Sequence, residues 1–260
     1  MKRITFLSLI TALLFSACQK NNLNENKRWE FNSPKNSLLK FVNAYTALTP
    51  SAAIPANGPT VDFYINNVRM NATSLAYSNY YPNTTGGGAF ASAPSGNVNI
   101  KVVLSRPEGN GLPSDTIANG NFNLEATMAH TVILVDTFPN PTPLSPILMV
   151  TNDFVSMPAY GKFKLRLMNF VPTNDTYELY STLTSSVVAS GITYKSSSDW
   201  IELPVTVGNS TYQLRLSGTT TVVATSNTFT PANQRSYTFL ARGNPSIAGR
   251  TITLSFYSSQ

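Results

Sequence analysis

From residue 38 onward the chain is written in short apolar runs separated by turn formers. Val98, Ile100, Val102 and Leu104 stand against Asn97, Asn99, Lys101 and Val103. That period of two predicts a strand with one buried face. Leu38 to Ala44, Thr60 to Ile65 and His130 to Val135 predict further strands, the last more continuously apolar. Asn66-Asn67 predicts a turn after the second of these. Phe138 to Pro143 carries three prolines and predicts a stiff, non-helical crossover into an edge strand, Ile147 to Val150.

The pattern occurs twice. Leu39-Lys40-Phe41-Val42-Asn43-Ala44 matches Leu165-Arg166-Leu167-Met168-Asn169-Phe170, and Val61-Asp62-Phe63-Tyr64 matches Tyr177-Glu178-Leu179-Tyr180. Phe90, four residues before Pro94, matches Trp200, four residues before Pro204. Val98 to Leu104 matches Tyr212 to Leu216, and Asn121-Phe122-Asn123 matches Thr228-Phe229-Thr230. Ala129-His130-Thr131-Val132-Ile133-Leu134 matches Ser236-Tyr237-Thr238-Phe239-Leu240-Ala241. One order at similar spacing points to duplication. Each unit holds about 100 residues and about seven strands, which fits an immunoglobulin-like sandwich. The expected fold is all-β: two tandem immunoglobulin-like β-sandwich domains, at residues 37–157 and 160–260. With no disulfide to close them, aromatic packing is expected to fill both cores.

Composition supports this. Hydrophobic residues at 42% suffice for cores, while charged residues are only 12%, so Ser, Thr and Asn must supply the polar surface. The formal charge is +6, but six of the 18 basic and two of the 12 acidic residues precede residue 37. The remainder carries +2, which lacks the basic stripe of a nucleic-acid reader.

The one cysteine explains the start of the chain. Met1-Lys2-Arg3, an apolar run from Ile4 to Phe15, and Ser16-Ala17-Cys18 form the three parts of a secretory signal. The run is too short to span a bilayer, which takes about 20 residues. Phe15-Ser16-Ala17-Cys18 resembles the bacterial lipobox. The resemblance implies a signal peptide at 1–17, acyl chains on Cys18, and a flexible tether at 18–36. Gln19, in place of Asp, favours the outer membrane. Lys20-Asn21-Asn22 is similar to the surface-export signal of Bacteroidota lipoproteins, with Asn where that signal has acids. The face of the membrane stays open.

The strand ending at Asn43, the segment Val61 to Asn66, the aromatic-to-Gly corner from Phe90 to Gly96, and Tyr237 to Leu240 together resemble DUF4397. This is a β-sandwich domain of unknown function, often in tandem in bacterial secreted proteins and lipoproteins. The resemblance covers most of 38–257. It implies fold and location and brings no ligand or catalytic residue.

Candidate chemistry is sparse. His130 is the one histidine, and Tyr237 stands at its place in the second unit, so we read it as structural. A base there would need a carboxylate such as Asp136, which shares its face only at the far end of the strand. No zinc set or other metal site is visible, and no cofactor is expected. Gly86-Gly87-Gly88 lacks the Lys-Ser/Thr of a phosphate loop and reads as a loop tip. Asp62 and Glu178 are expected to pair with donors inside their own domains. Phe90 and Trp200 are expected as equivalent core plugs. Tyr77, Tyr80 and Tyr81 are the candidates for an exposed ligand-contact patch, with Tyr194 in the same aromatic inventory. Asp115-Thr116-Ile117 resembles the Bacteroidota O-glycosylation acceptor, which would modify Thr116 on a surface loop.

The functional expectation is an outer-membrane lipoprotein, non-catalytic, acting as a binding or adhesion module. Its partners would be the membrane, through Cys18, and a glycan or an envelope protein. An envelope scaffold or assembly subunit is the alternative, and a hydrolase a remote one.

Overall fold

The computed structural model describes residues 35–46, 60–83, 89–105, 115–138, 146–205 and 210–259. Among these the regular structure is strand alone. Cys18, the expected signal peptide, the expected tether as far as residue 34, Gly86 to Gly88, and the crossover from Pro139 to Ser145 lie outside the described residues, whereas Asn36, expected in the tether, opens the first strand.

The first unit has two sheets. One runs in the order β10 (Pro146–Asn152), β9 (Ala129–Asp136), β1 (Asn36–Asn43), with β5 (Tyr80–Tyr81) and β6 (Ala91–Pro94) sharing the far side of β1. The other runs β3 (Val68–Arg69), β2 (Thr60–Ile65), β7 (Gly96–Ser105), β8 (Thr116–Leu124), with β4 (Leu75–Ala76) on β2. Asn66 and Asn67 connect β2 to β3 with φ of 48° and 66°. Two positive values are what a tight hairpin turn demands, and Asn tolerates them better than most residues.

The second unit repeats the plan. One sheet runs β14 (Ser196–Ser197), β11 (Lys162–Phe170), β18 (Ser236–Arg242), β19 (Thr253–Ser258), with β15 (Ile201–Pro204) also on β11. The other runs β13 (Ser186–Ile192), β12 (Tyr177–Ser181), β16 (Tyr212–Leu216), β17 (Val222–Thr225). The first strand of each unit is central and pairs parallel with a late strand, β1 with β9 and β11 with β18. Antiparallel hairpins alone would not give this.

The register carries the duplication residue by residue. Leu39 lies opposite His130, as Leu165 lies opposite Tyr237. Ala91 pairs with Leu39, as Ile201 pairs with Leu165, which makes Phe90 the counterpart of Trp200. Leu104 pairs with Val61, and Leu216 with Tyr177.

Each unit encloses its own core, built from the alternate residues of its strands. Leu39, Phe41, Phe63, Ile100, Val132 and Leu134 are among those filling the first. Fully burying such a side chain contributes roughly 1.5–3 kcal/mol. The second is aromatic: Phe229 packs against Phe163, Tyr212, Tyr237, Phe239 and Phe256 with centroids 4.8 to 5.8 Å apart. Aromatic filling therefore holds for the second unit, whereas the first is mainly aliphatic.

A third cluster joins the units. Val42 of β1, Ala44 just after it, and Ile133 and Val135 of β9 pack with Met168, Phe170, Leu240 and Tyr257 from β11, β18 and β19. These are the residues one step out of phase with the two cores. The β1–β9 and β11–β18 pairs are thus buried on both faces, which is why they read as continuous apolar runs.

Candidate functional site

The seam between the units is where polar chemistry is buried. Its first end is set by position 40 and its repeat equivalent, 166, each a cation amid apolar neighbours. Lys40 is fully buried; its Nζ donates to the Ala89 carbonyl at 2.9 Å and sits 5.0 to 5.2 Å from the ring centroids of Tyr80, Phe90 and Tyr257. Burial lowers its pKa from 10.5 to about 8, with Asp153 pulling the other way. Arg166 pairs with Asp153, donates Nε to Thr238 Oγ1 at 3.0 Å, and stacks 4.5 Å from the Trp200 ring. Asp153 also accepts from Thr131 Oγ1. Phe90 and Trp200 are equivalent, as expected, but half-buried: each covers a seam cation instead of plugging a core.

The other end lies at the C-termini of the same strands. Asp136 accepts from the Thr46 amide at 3.0 Å and from its hydroxyl, and the Tyr194 hydroxyl donates to the Asp136 carbonyl. Burial, then the Asp136 charge, raises the pKa of Tyr194. Tyr77 is the counterpart of Tyr194, since Ser78 and Lys195, the next residue in each unit, donate to the equivalent carbonyls of Asn43 and Asn169. Yet the Tyr77 hydroxyl has no hydrogen-bond partner. The same is true of Nε and Nη1 of Arg242, a residue only 6% exposed. Burial lowers the Arg242 pKa from its ordinary value, with Tyr77 and Tyr80 opposing. Arg250 lies 4.5 Å from the Tyr77 ring and donates Nε to the Thr46 carbonyl at 3.1 Å.

Tyr77, Arg242 and Arg250 line a cavity of about 500 Å³, walled on its other sides by Ser78, Asn227 and Ser255 among others. Its walls come from both units. A second cavity, about 340 Å³, lies beside Phe90, Phe154 and Arg235. A third, about 460 Å³, is lined by Leu75, Asn79, Tyr80 and Tyr81.

The structure revises the expected aromatic patch. Tyr77, Tyr80 and Tyr81 are half-buried, not exposed. Tyr80 packs on Tyr257 with centroids 5.6 Å apart, and Tyr81 packs against the first core. The loop that carries them is drawn in because β5 pairs with β1. They do line cavities, Tyr77 at the seam and Tyr80 with Tyr81 at the edge. Thr116 is exposed but opens β8, an edge strand, not a loop.

His130 is buried in β9, its Nε2 has no hydrogen-bond partner, and it lines none of these three cavities. Asp136 stands six residues away and is engaged by Thr46. Asp62 binds Arg69 at 2.7 Å and Asn71 at 3.0 Å, and Glu178 accepts from the Gly218 amide at 3.0 Å, so both acids serve their own sheets. Among the described residues no cluster of three His, Cys, Asp or Glu side chains could hold a metal.

The family model described as "Domain of unknown function (DUF4397)" matches residues 51–180, half of the chain. The chain belongs to this family. The match runs from ahead of β2 into β12, so it crosses the connector between the units. No curated protein matches. A solved structure described as a "putative cell adhesion protein" from Bacteroides fragilis NCTC 9343 aligns at 11% identity, covering 88% of this chain and 98% of that one. Its TM-score of 0.20 carries no argument.

Sequence reasoning passed over Arg242 and Arg250. One signal was available: Tyr77-Ser78 and Tyr194-Lys195 follow their units' preceding strands at corresponding places, which would have paired the two tyrosines. Nothing in the local sequence from Gly243 to Ile252 announces that its loop folds back to wall a cavity.

Proposed function

We propose that this DUF4397 protein is a non-catalytic binding or adhesion module, held to the outer membrane by acyl chains on Cys18. The observation that carries the binding reading is the seam cavity, built from both units at once. Two sandwiches joined through a shared apolar cluster hold such a cavity in fixed geometry, and a preorganised site loses less ordering entropy on binding. The leader and the placement of the one cysteine support the anchor. The partner would be a glycan or an envelope protein, not nucleic acid, given the near-neutral body.

Cells expressing the full chain should incorporate a labelled palmitate analogue into it, and Cys18→Ala should lose both the label and outer-membrane fractionation. Folded protein should capture ligands from a glycan array or an envelope extract. Retention of label in Cys18→Ala removes the anchor; an empty array and extract remove the binding module.

A second reading, assembly subunit of the envelope, is favoured by the connector between the units. Phe154, Met157 and Tyr160 stand 60%, 64% and 86% exposed there. Large apolar side chains left in water on one segment suit a protein contact.

A further inference from the structure

We infer that the seam cavity binds the carboxylate of an acidic saccharide, with Arg242 and Arg250 as its cationic walls. This rests on the binding-module reading and names the ligand class.

A guanidinium is costly to bury without partners, because it gives up strong hydrogen bonds to water. Arg242 lines a cavity and leaves two of its nitrogens buried and unpaired behind that wall. The acids at the seam are engaged elsewhere: Asp153 with Arg166 and Thr131, Asp136 with Thr46. The residues lining the cavity include two arginines and no acid.

Duplication supplies an internal control. In the first unit β9 ends at Asp136, whose carbonyl takes the Tyr194 hydroxyl. The register places Gly243 at the corresponding point of the second unit, one residue after Arg242. A Cβ on Gly243 would lie 2.5 Å from the Thr251 carbonyl oxygen and 2.6 Å from Ile252 Cα, and its φ is +135°. No side chain can stand there. Gly243 therefore brings a carbonyl but no carboxylate, so the chain sets no acid of its own beside Arg242, and the Tyr77 hydroxyl, unlike that of Tyr194, takes no carbonyl. An external anion in the cavity supplies the negative charge that the chain does not set beside its two arginines.

The rest of the wall selects among anions. Ser78, Thr225, Asn227 and Ser255 offer neutral hydroxyl and amide groups, which suit a polyhydroxylated ring. A planar guanidinium takes a carboxylate through two parallel hydrogen bonds. The volume of about 500 Å³ lies within the ordinary range for small-ligand sites, roughly 300–1,000 Å³.

Calorimetric titration of the full chain with digalacturonate, N-acetylneuraminate, neutral galactobiose and inorganic phosphate tests this. An acidic saccharide should bind, with the neutral sugar and phosphate each weaker by about tenfold or more, the scale of one lost charge-assisted pair. Arg242→Met should weaken acidic-saccharide binding by about as much. Asn227→Asp, at an exposed position that the fold does not need, should do the same by repulsion. No binding of either acidic saccharide, phosphate binding equal to theirs, or affinity unchanged in both variants overturns the inference. Array capture of neutral glycans that survives Arg242→Met also overturns it while leaving the binding-module reading intact; an array empty of every glycan and extract protein defeats that reading as well.

Discussion

Arg166 and Arg242 stand on adjacent strands of one sheet, at opposite ends of the seam, and are similarly buried, 4% and 6% exposed. Their surroundings differ. Arg166 has Asp153, Thr238, the Asn152 carbonyl and the Trp200 face. Arg242 has two nitrogens without a partner and a cavity beside it. A buried ion pair with its hydrogen bonds complete fixes the register of the surfaces that meet around it. A buried cation without them is a cost that folding alone does not offset. The difference separates a joint from a site.

The largest expected effect tests that contrast directly. Arg166→Met strands Asp153 in the seam and should cost about 3–5 kcal/mol. Arg242→Met removes an unpaired charge and should leave stability unchanged or raised. Urea midpoints compared at constant slope give both values. Equal losses in the two variants would mean that Arg242 is part of the joint.

The contrast was not legible in the sequence, although most of the scaffold was. Alternation gave β7, and Asn66-Asn67 gave the first hairpin. The repeat matched Lys40 with Arg166 and Phe90 with Trp200, because those pairs follow strand register. The seam escaped because its strands are buried on both faces. Once both faces are covered, alternation fades and the second contact surface looks like more core. The cations at 40 and 166 were the available clue, since a charge repeated inside an apolar run needs a buried partner. The aromatic patch was misplaced for a related reason. A Tyr-rich, Ser/Asn-rich loop has the composition of a surface, and only the pairing of β5 with β1 turns it inward.

A smaller effect compares the two units with each other. Asn43 donates Nδ2 to the Leu75 carbonyl at 3.1 Å and accepts the Tyr45 amide at 3.2 Å. Asn169 donates to the Ile192 carbonyl at 3.1 Å and accepts the Val171 amide at 2.9 Å. Both are fully buried, and each ties its central strand to the opposite sheet of its own sandwich. Replacing either by Ala leaves a buried carbonyl and amide unsatisfied, at about 1–3 kcal/mol. The two losses should be similar and should add in the double variant, since the sites share no partner. Marked inequality in denaturant unfolding would show that the aliphatic and aromatic cores support this tie differently.

The smallest effect returns to the joint and concerns pH. Lys40 faces Tyr80, Phe90 and Tyr257, with Asp153 as the acid that acts on it. Its folded pKa, about 8, lies below the 10.5 of an exposed lysine. Between those values the unfolded chain holds a proton that the folded chain has released, so stability rises with pH across that window. Below pH 8 both forms are charged and the cost of burying the ammonium is borne in full. The buried tyrosines act in the opposite sense higher up. Tyr45 and Tyr212, both pushed up to about 12 by burial, keep protons that the unfolded chain loses above pH 10. The net curve should climb from pH 8 to about 10 and then fall. Lys40→Met should flatten the climb, of order 1 kcal/mol, and leave the fall untouched. A climb of the same size in Lys40→Met would assign it to another group and leave Lys40 as a fixed cation, held by its three rings and the Ala89 carbonyl.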